Sequence, residues 1–162
     1  MSNSNHNERR IPKRPYLAAS VAVYRDGKFL LASRGKPPFE DIFSLPGGMV
    51  EVGENLSQAA CRELGEEVGV ICQQPVLVCP LEIINHTSDG RISDHVVIMV
   101  HAAYWQSGEA VTGPEAKKVI WASLEELDNL PTTPHLKEAL EKAEILLTGH
   151  DNPEGSANEK SS

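Results

Sequence analysis

Residues 48–70 read GMVEVGENLSQAACRELGEEVGV, and this stretch organises the rest of the chain. Asn55 stands where a helix N-cap would, with Gln58 three residues later to complete a capping box, and Gly69 supplies a natural stop. The segment between them is therefore expected to be a helix from about Asn55 to Val68. At about 100° per residue, Glu63, Glu66 and Glu67 share one stripe of that helix. Ala60, Leu64 and Val68 form an apolar stripe that can face a core. Three carboxylates so close repel one another, and hard divalent cations with a preference for oxygen relieve that repulsion. Taken alone, the three glutamates read first as a solvated acidic face with Arg62 in an ordinary ion pair.

The flanking chain shows how this helix is embedded. Leu17–Tyr24 alternates as a strand, and Asp26-Gly27 turns it into a second strand, Phe29–Arg34. Residues 35–41 carry Pro37 and Pro38 and read as a loop leading to Leu45-Pro46-Gly47-Gly48. Downstream, Pro75–Ile84 and His95–Trp105 are β-rich, joined by a turn at Thr87-Ser88-Asp89-Gly90. Val119–Trp121 is a short strand, and Ser123 caps a short helix containing Leu124 and Leu127. A last helix from about His135 to Leu147 carries Leu136, Leu140, Ala143 and Leu147 on one face. Strands and helices mix without regular βαβ alternation, so the fold class expected is α/β in the α+β sense, a mixed sheet packed between helices.

Composition narrows the function classes. The chain has 162 residues, 40% hydrophobic and 23% charged, as a globular domain requires. A domain over residues 15–148 is expected, with polar tails at 1–14 and 149–162. The net charge of −8 argues against a large nucleic-acid partner but not against a small nucleotide, since a bound cation inverts the local field. No apolar run approaches the roughly 20 residues of a membrane span, and the N-terminus lacks the apolar core of a secretory signal. The three cysteines, Cys61, Cys72 and Cys79, show no C-x-x-C spacing. They point to neither a disulfide framework nor a zinc site, and a cytoplasmic setting is expected. No serine-hydrolase elbow, P-loop or dinucleotide glycine pattern is present.

The frame around the glutamates changes their reading. Gly48, five residues, Glu54, seven residues, and then Arg62-Glu63-Leu64-Gly65-Glu66-Glu67-Val68-Gly69-Val70 resembles the Nudix signature G-x5-E-x7-R-E-U-x-E-E-x-G-U, where U is aliphatic. Every specified position matches, a coincidence expected by chance on the order of once per million such chains or less. Leu45-Pro46-Gly47 also matches the usual lead-in. The resemblance implies an α/β/α sandwich over roughly residues 15–147. It also implies hydrolysis of a nucleoside diphosphate linked to another group, with Mg²⁺ or Mn²⁺ as cofactor.

Carried over by position, Glu63, Glu66 and Glu67 match the metal ligands, with the carbonyl of Gly47 a common further one. Arg62 would orient a carboxylate, Glu63 first, and Glu54 would support the metal site or its water. Gly48 lets the backbone come close to metal or phosphate. The general base is Glu63 or Glu115, the latter six residues before Trp121, and Arg34 is a candidate contact for a substrate phosphate. Phe43 is expected to pack under the loop, and Trp105 and Trp121 to pack in the core or at its edge.

Markers of individual subgroups are absent. Asn85 and His86 occupy the region where ADP-ribose hydrolases often carry a proline, and Thr87 and Ser88 that of the tyrosine of dinucleoside-polyphosphate hydrolases. The overall pattern is still similar to ADP-ribose-pyrophosphatase-like or MutT-like members, which puts ADP-ribose or another nucleotide sugar first and nucleoside triphosphates second. A homodimer is implied by the habits of the family. Two other readings stand beside the hydrolase: a non-catalytic nucleotide sensor, which the full set of box carboxylates disfavours, and an isomerase acting on isoprenoid diphosphates, for which Cys61 lacks a catalytic context.

Overall fold

The computed structural model describes residues 12–34, 41–114 and 116–149. The expected tails at 1–14 and 149–162 fall largely outside the described residues, as do most of the proline-containing loop and Glu115. The elements in chain order are β1 (Tyr16–Arg25), β2 (Lys28–Arg34), β3 (Phe43–Ser44), β4 (Gly47–Met49), α1 (Leu56–Val68), β5 (Ile71–Cys72), β6 (Val76–His86), β7 (Ile92–Ser107) and β8 (Ala116–Ala122). A 3₁₀ turn (Glu126–Asn129) and α2 (Leu136–Thr148) complete the domain.

β1 holds the centre of the sheet. It runs parallel to β7, with Tyr16 opposite Val96 and Tyr24 opposite Tyr104, and antiparallel to β2 and β4. β6 and β5 pair antiparallel with β7, while β3 and β8 pair antiparallel with β2. The result is a mixed sheet. Residues 18–23 of β1 are all buried, as a strand covered on both faces requires. Ala19, Val21 and Val23 meet Ala60, Leu64 and Val68 of α1, whereas Ala22 packs with Leu136, Leu140 and Ala143 of α2. One helix thus covers each face, which is the expected sandwich. Each fully buried Leu or Val contributes about 1.5–3 kcal/mol relative to exposure.

Local chemistry sets the turns. The β1–β2 hairpin turns through Asp26 and Gly27, both at positive φ (52° and 79°), the geometry of a two-residue turn that matches strand twist. At the start of α1, Asn55 accepts from the Gln58 amide at 2.8 Å and donates its own amide to the Gln58 side chain at 2.9 Å. Gly69 ends the helix at φ 72°, its amide donating to the Gly65 carbonyl. Ser123 Oγ accepts from the Glu126 amide at 3.3 Å, and Phe43 is buried in the core on the α2 side.

Two short strands differ from the sequence expectation. β3 and β4 follow the loop expected at 35–41, in a stretch for which the sequence suggests no element, and they are strands because β2 and β1 pair with them over long range. Two or three residues are too few to show a periodicity.

Candidate active site

The site is built where β4 is clamped between β1 and α1. Gly48 sits opposite Ala19 and Gly47 opposite Ser20. A side chain is excluded at both glycines for different reasons. A Cβ on Gly47 would lie 2.5 Å from the Ala19 carbonyl oxygen and 2.7 Å from Ser20 Cβ. A Cβ on Gly48 would lie 2.5 Å from the carboxyl carbon of Glu63. The strand therefore passes directly over the helix carboxylates. Its polypeptide is tied to them as well: the Gly47 amide donates to Glu67 Oε2 at 3.0 Å.

The three glutamates are not equivalent. Glu67 is only 5% exposed, while the side chain of Glu63 is 15% and that of Glu66 60% exposed. Helix geometry explains the gradient. Glu67 follows Ala60 by seven residues and so lies only about 20° from it around the axis. It borders the core stripe, and the acidic and apolar faces merge at this residue rather than standing apart. A buried carboxylate is costly unless donors or a cation face it, and the Gly47 amide is one such donor.

Arg62 is the hub of the exposed half. Its Nη2 donates to Glu54 Oε1 at 2.7 Å and to the Met49 carbonyl at 3.0 Å, and its Nε donates to Glu54 Oε2 at 3.1 Å. Nη1 donates to Glu63 Oε1 at 2.9 Å and Glu66 Oε2 at 3.2 Å, with Glu51 a further ion-pair partner at 3.9 Å. One guanidinium faces four carboxylates. The strongest tie is the two-pronged one to Glu54, not to Glu63 as position alone suggests. Glu54 also accepts from the Glu51 amide at 2.9 Å. The Arg62 bonds, reinforced by that amide, hold the Glu54 carboxyl below its usual range, and Glu54 raises Arg62 further still.

The structure thus brings Gly47, Gly48, Glu54, Arg62, Glu63, Glu66 and Glu67 together. Arg34 ends β2 with its Cα opposite Ala116. Glu115 lies outside the described residues. Among the described residues no three His, Cys, Asp or Glu side chains converge as they stand on a single ion. The reason is visible: Arg62 holds Glu63 and Glu66 on one side while Glu67 turns to Gly47. The donors nevertheless fit a hard divalent cation. They are all oxygens, they carry negative charge in excess of the one guanidinium, and the missing Cβ of Gly48 leaves a cradle against Glu63. Three participants carry no signal in sequence: the Gly47 amide, the Met49 carbonyl and Glu51. Backbone groups leave no residue-type trace, and Glu51 stands at an unspecified position of the signature.

A model of the NUDIX domain matches residues 14–143. An ADP-ribose pyrophosphatase of Methanocaldococcus jannaschii is 34% identical over 117 residues, covering 72% of this chain and 65% of that protein. An NAD-capped RNA hydrolase of Deinococcus radiodurans is 32% identical over 109 residues, 67% of this chain but only 36% of its own length. The crystal structure of a MutT NUDIX hydrolase from Burkholderia pseudomallei superposes with a TM-score of 0.70 at 31% identity, covering 80% of this chain and 98% of that one. Among the described residues no helix is long and apolar enough to cross a membrane.

Proposed function

The chain belongs to the Nudix hydrolase family, and on that premise we propose that it is a Mg²⁺- or Mn²⁺-dependent pyrophosphohydrolase whose substrate is ADP-ribose or a closely related nucleotide sugar. The observation that carries the chemistry is the placement of Glu63 against Gly48 and of buried Glu67 against the Gly47 amide, with Glu66 joined to Glu63 through Arg62. The substrate class rests on the likeness to the Methanocaldococcus protein named ADP-ribose pyrophosphatase. Nucleoside triphosphates are the second choice.

Glu63, Glu66 and Glu67 would hold the cation, with the Gly47 carbonyl beside them. When bound, the cation neutralises the pyrophosphate, polarises phosphorus and makes water a better nucleophile near neutral pH. The chain's own residues do the rest. Arg62 fixes the carboxylates of Glu63 and Glu66 by charge-assisted hydrogen bonds, which reduces their freedom before substrate arrives. Glu54 anchors Arg62 from the far side, so it acts through Arg62 as a positioning residue. A carboxylate, Glu63 or Glu115, removes the proton from the attacking water.

The test is a panel of ADP-ribose, nucleotide sugars, nucleoside triphosphates, dinucleoside polyphosphates and NADH, with Mg²⁺ and with Mn²⁺, products identified by mass. AMP and ribose 5-phosphate from ADP-ribose are the expected products. Turnover of triphosphates alone would move the substrate to the second choice, and failure on the whole panel with folded protein would overturn the hydrolase. Glu63→Gln beside Glu115→Gln in the same assay assigns the base: the variant whose acid-limb pKa disappears from the kcat profile carried it.

A further inference from the structure

We infer that Cys61 and Cys72 are a reactive dithiol pair, which a peroxide closes into an intramolecular disulfide that ties the site helix to β5 and slows the enzyme. Their sulfur atoms lie 3.9 Å apart although eleven positions separate them in sequence. The fold makes this approach. α1 carries Cys61 seven residues before the buried Val68, so about 20° from it at the edge of the core stripe. Gly69 reverses the chain, and β5 returns Cys72 beneath the helix, opposite Trp105 of β7. Cys61 is exposed to solvent and Cys72 is buried in the core on the α1 side. One thiol is therefore open to a small oxidant and the other waits behind it. Cys79 is partly buried against the core on the opposite face of the sheet, beneath α2, and so serves as an internal control.

The step balances with a peroxide as oxidant. The Cys61 sulfur attacks one oxygen of hydrogen peroxide, the O–O bond breaks, and the thiol proton leaves with the departing hydroxide as water. Cys61 is then a sulfenic acid. The Cys72 sulfur attacks the Cys61 sulfur, the S–O bond breaks, and hydroxide takes the Cys72 proton to leave as a second water. Two thiols lose two electrons in all and the peroxide gains them. Burial, with Cys61 alongside, pushes the Cys72 thiol up to about 12, which keeps it protonated and makes it the second thiol to react rather than the first.

The consequence for the site follows from position. Cys61 precedes Arg62, so closing the sulfurs from 3.9 Å to about 2.05 Å draws the helix toward β5 just beside the hub of the carboxylate network. Displacements of this size are costly where groups must be held in register. This second part rests on the hydrolase reading, whereas the disulfide itself does not.

The experiment treats the full chain with hydrogen peroxide, blocks free thiols with iodoacetamide and digests with trypsin. Cleavage after Arg62 puts Cys61 on one peptide and both Cys72 and Cys79 on the next, so only a disulfide keeps the peptides together, and fragmentation shows which of the two is alkylated. The expected result is a linked Cys61–Cys72 pair with Cys79 alkylated, reversed by dithiothreitol. In Cys72→Ala, Cys61 should stop at the sulfenic acid and be trapped by dimedone, and Cys61→Ser should give neither product. Alkylated Cys72 beside sulfinic Cys61, or links between chains, would overturn the pairing. Turnover of the linked protein should fall at least about twofold and return on reduction. Unchanged turnover in fully linked, otherwise active protein would overturn the coupling to the site, while absence of activity in reduced protein would count against the hydrolase reading alone.

Discussion

The carboxyl carbon of Glu63 lies 2.5 Å from where a methyl group on Gly48 would be, so the glycine defines the position of the carboxylate. Gly48→Ala should therefore push Glu63 aside by a side-chain rotation, at little cost in stability because only the end of a flexible side chain must move. Turnover should fall by about 10- to 100-fold, the usual penalty for a misplacement near 1 Å. Gly47→Ala is the contrasting case. Its methyl would meet the Ala19 carbonyl and Ser20 Cβ, neither of which can yield within the sheet. That variant should lose about 1–3 kcal/mol in chemical denaturation. If Gly48→Ala lost as much stability as Gly47→Ala, the cradle would be structural rather than catalytic.

The carboxylate cluster makes a second prediction, with a readout independent of substrate. Glu67 adds a fifth carboxylate beside a guanidinium that already faces four, Glu66 among them. A cation that binds there should raise the melting temperature, since Mg²⁺ at 100 times its dissociation constant stabilises by about 2.7 kcal/mol. EDTA should reverse the shift. Glu66→Gln should be as stable as the parent or more so without metal, because a like charge is removed. Its Mg²⁺ requirement should nevertheless rise by about tenfold or more. Glu67→Gln should keep the Gly47 hydrogen bond through its amide oxygen while losing the same metal response. Equal Mg²⁺ shifts in parent and variants, by calorimetry, would remove both residues from the cation site.

Arg62 tests geometry against charge. Its guanidinium reaches Glu54, Glu63, Glu66 and the Met49 carbonyl at once, through Nε, Nη1 and Nη2. A lysine keeps the charge but has a single nitrogen and cannot span that fork. Arg62→Lys should reduce kcat by about tenfold or more with a smaller change in KM, since it disorders carboxylates rather than removing a substrate contact. A variant with parental kcat would show that a point charge is enough.

These expectations mark where the sequence was legible. α1 could be read to the residue because its signals are local: Asn55 and Gln58 close the start and Gly69 the end. The hairpin at Asp26-Gly27 was legible for the same reason. Both helices showed which face they bury, through Leu64 and Val68 in one and Leu136 and Leu140 in the other. The membership of Gly47–Met49 in the sheet was hidden, since it depends on partners in β1 distant along the chain. So was the split among the glutamates, because a stripe of three carboxylates does not reveal that Glu67 borders Ala60 at the core. The proximity of Cys61 and Cys72 was equally hidden, as it follows from the path of β5 beneath the helix.

Acid should separate the roles of Glu54 and the exposed carboxylates. Arg62 and the Glu51 amide hold the Glu54 carboxyl below its usual 4.5, so Glu54 is the more ionised where an ordinary glutamate is half protonated. A group whose pKa is depressed by folding contributes stability that is fully present above its unfolded value and is lost as pH falls through the folded one. The Glu54–Arg62 tie should therefore stabilise the protein in full above about pH 5.5, a unit above the ordinary value, and fade below 4.5. Glu54→Gln deletes this linkage. Its melting temperature should lie below the parent's by a constant amount near neutral pH, and the two curves should converge as the solution is acidified below 4.5. Parallel curves down to the lowest pH at which both remain folded would mean that Glu54 is not perturbed by Arg62, and the anchor assigned to it would be lost.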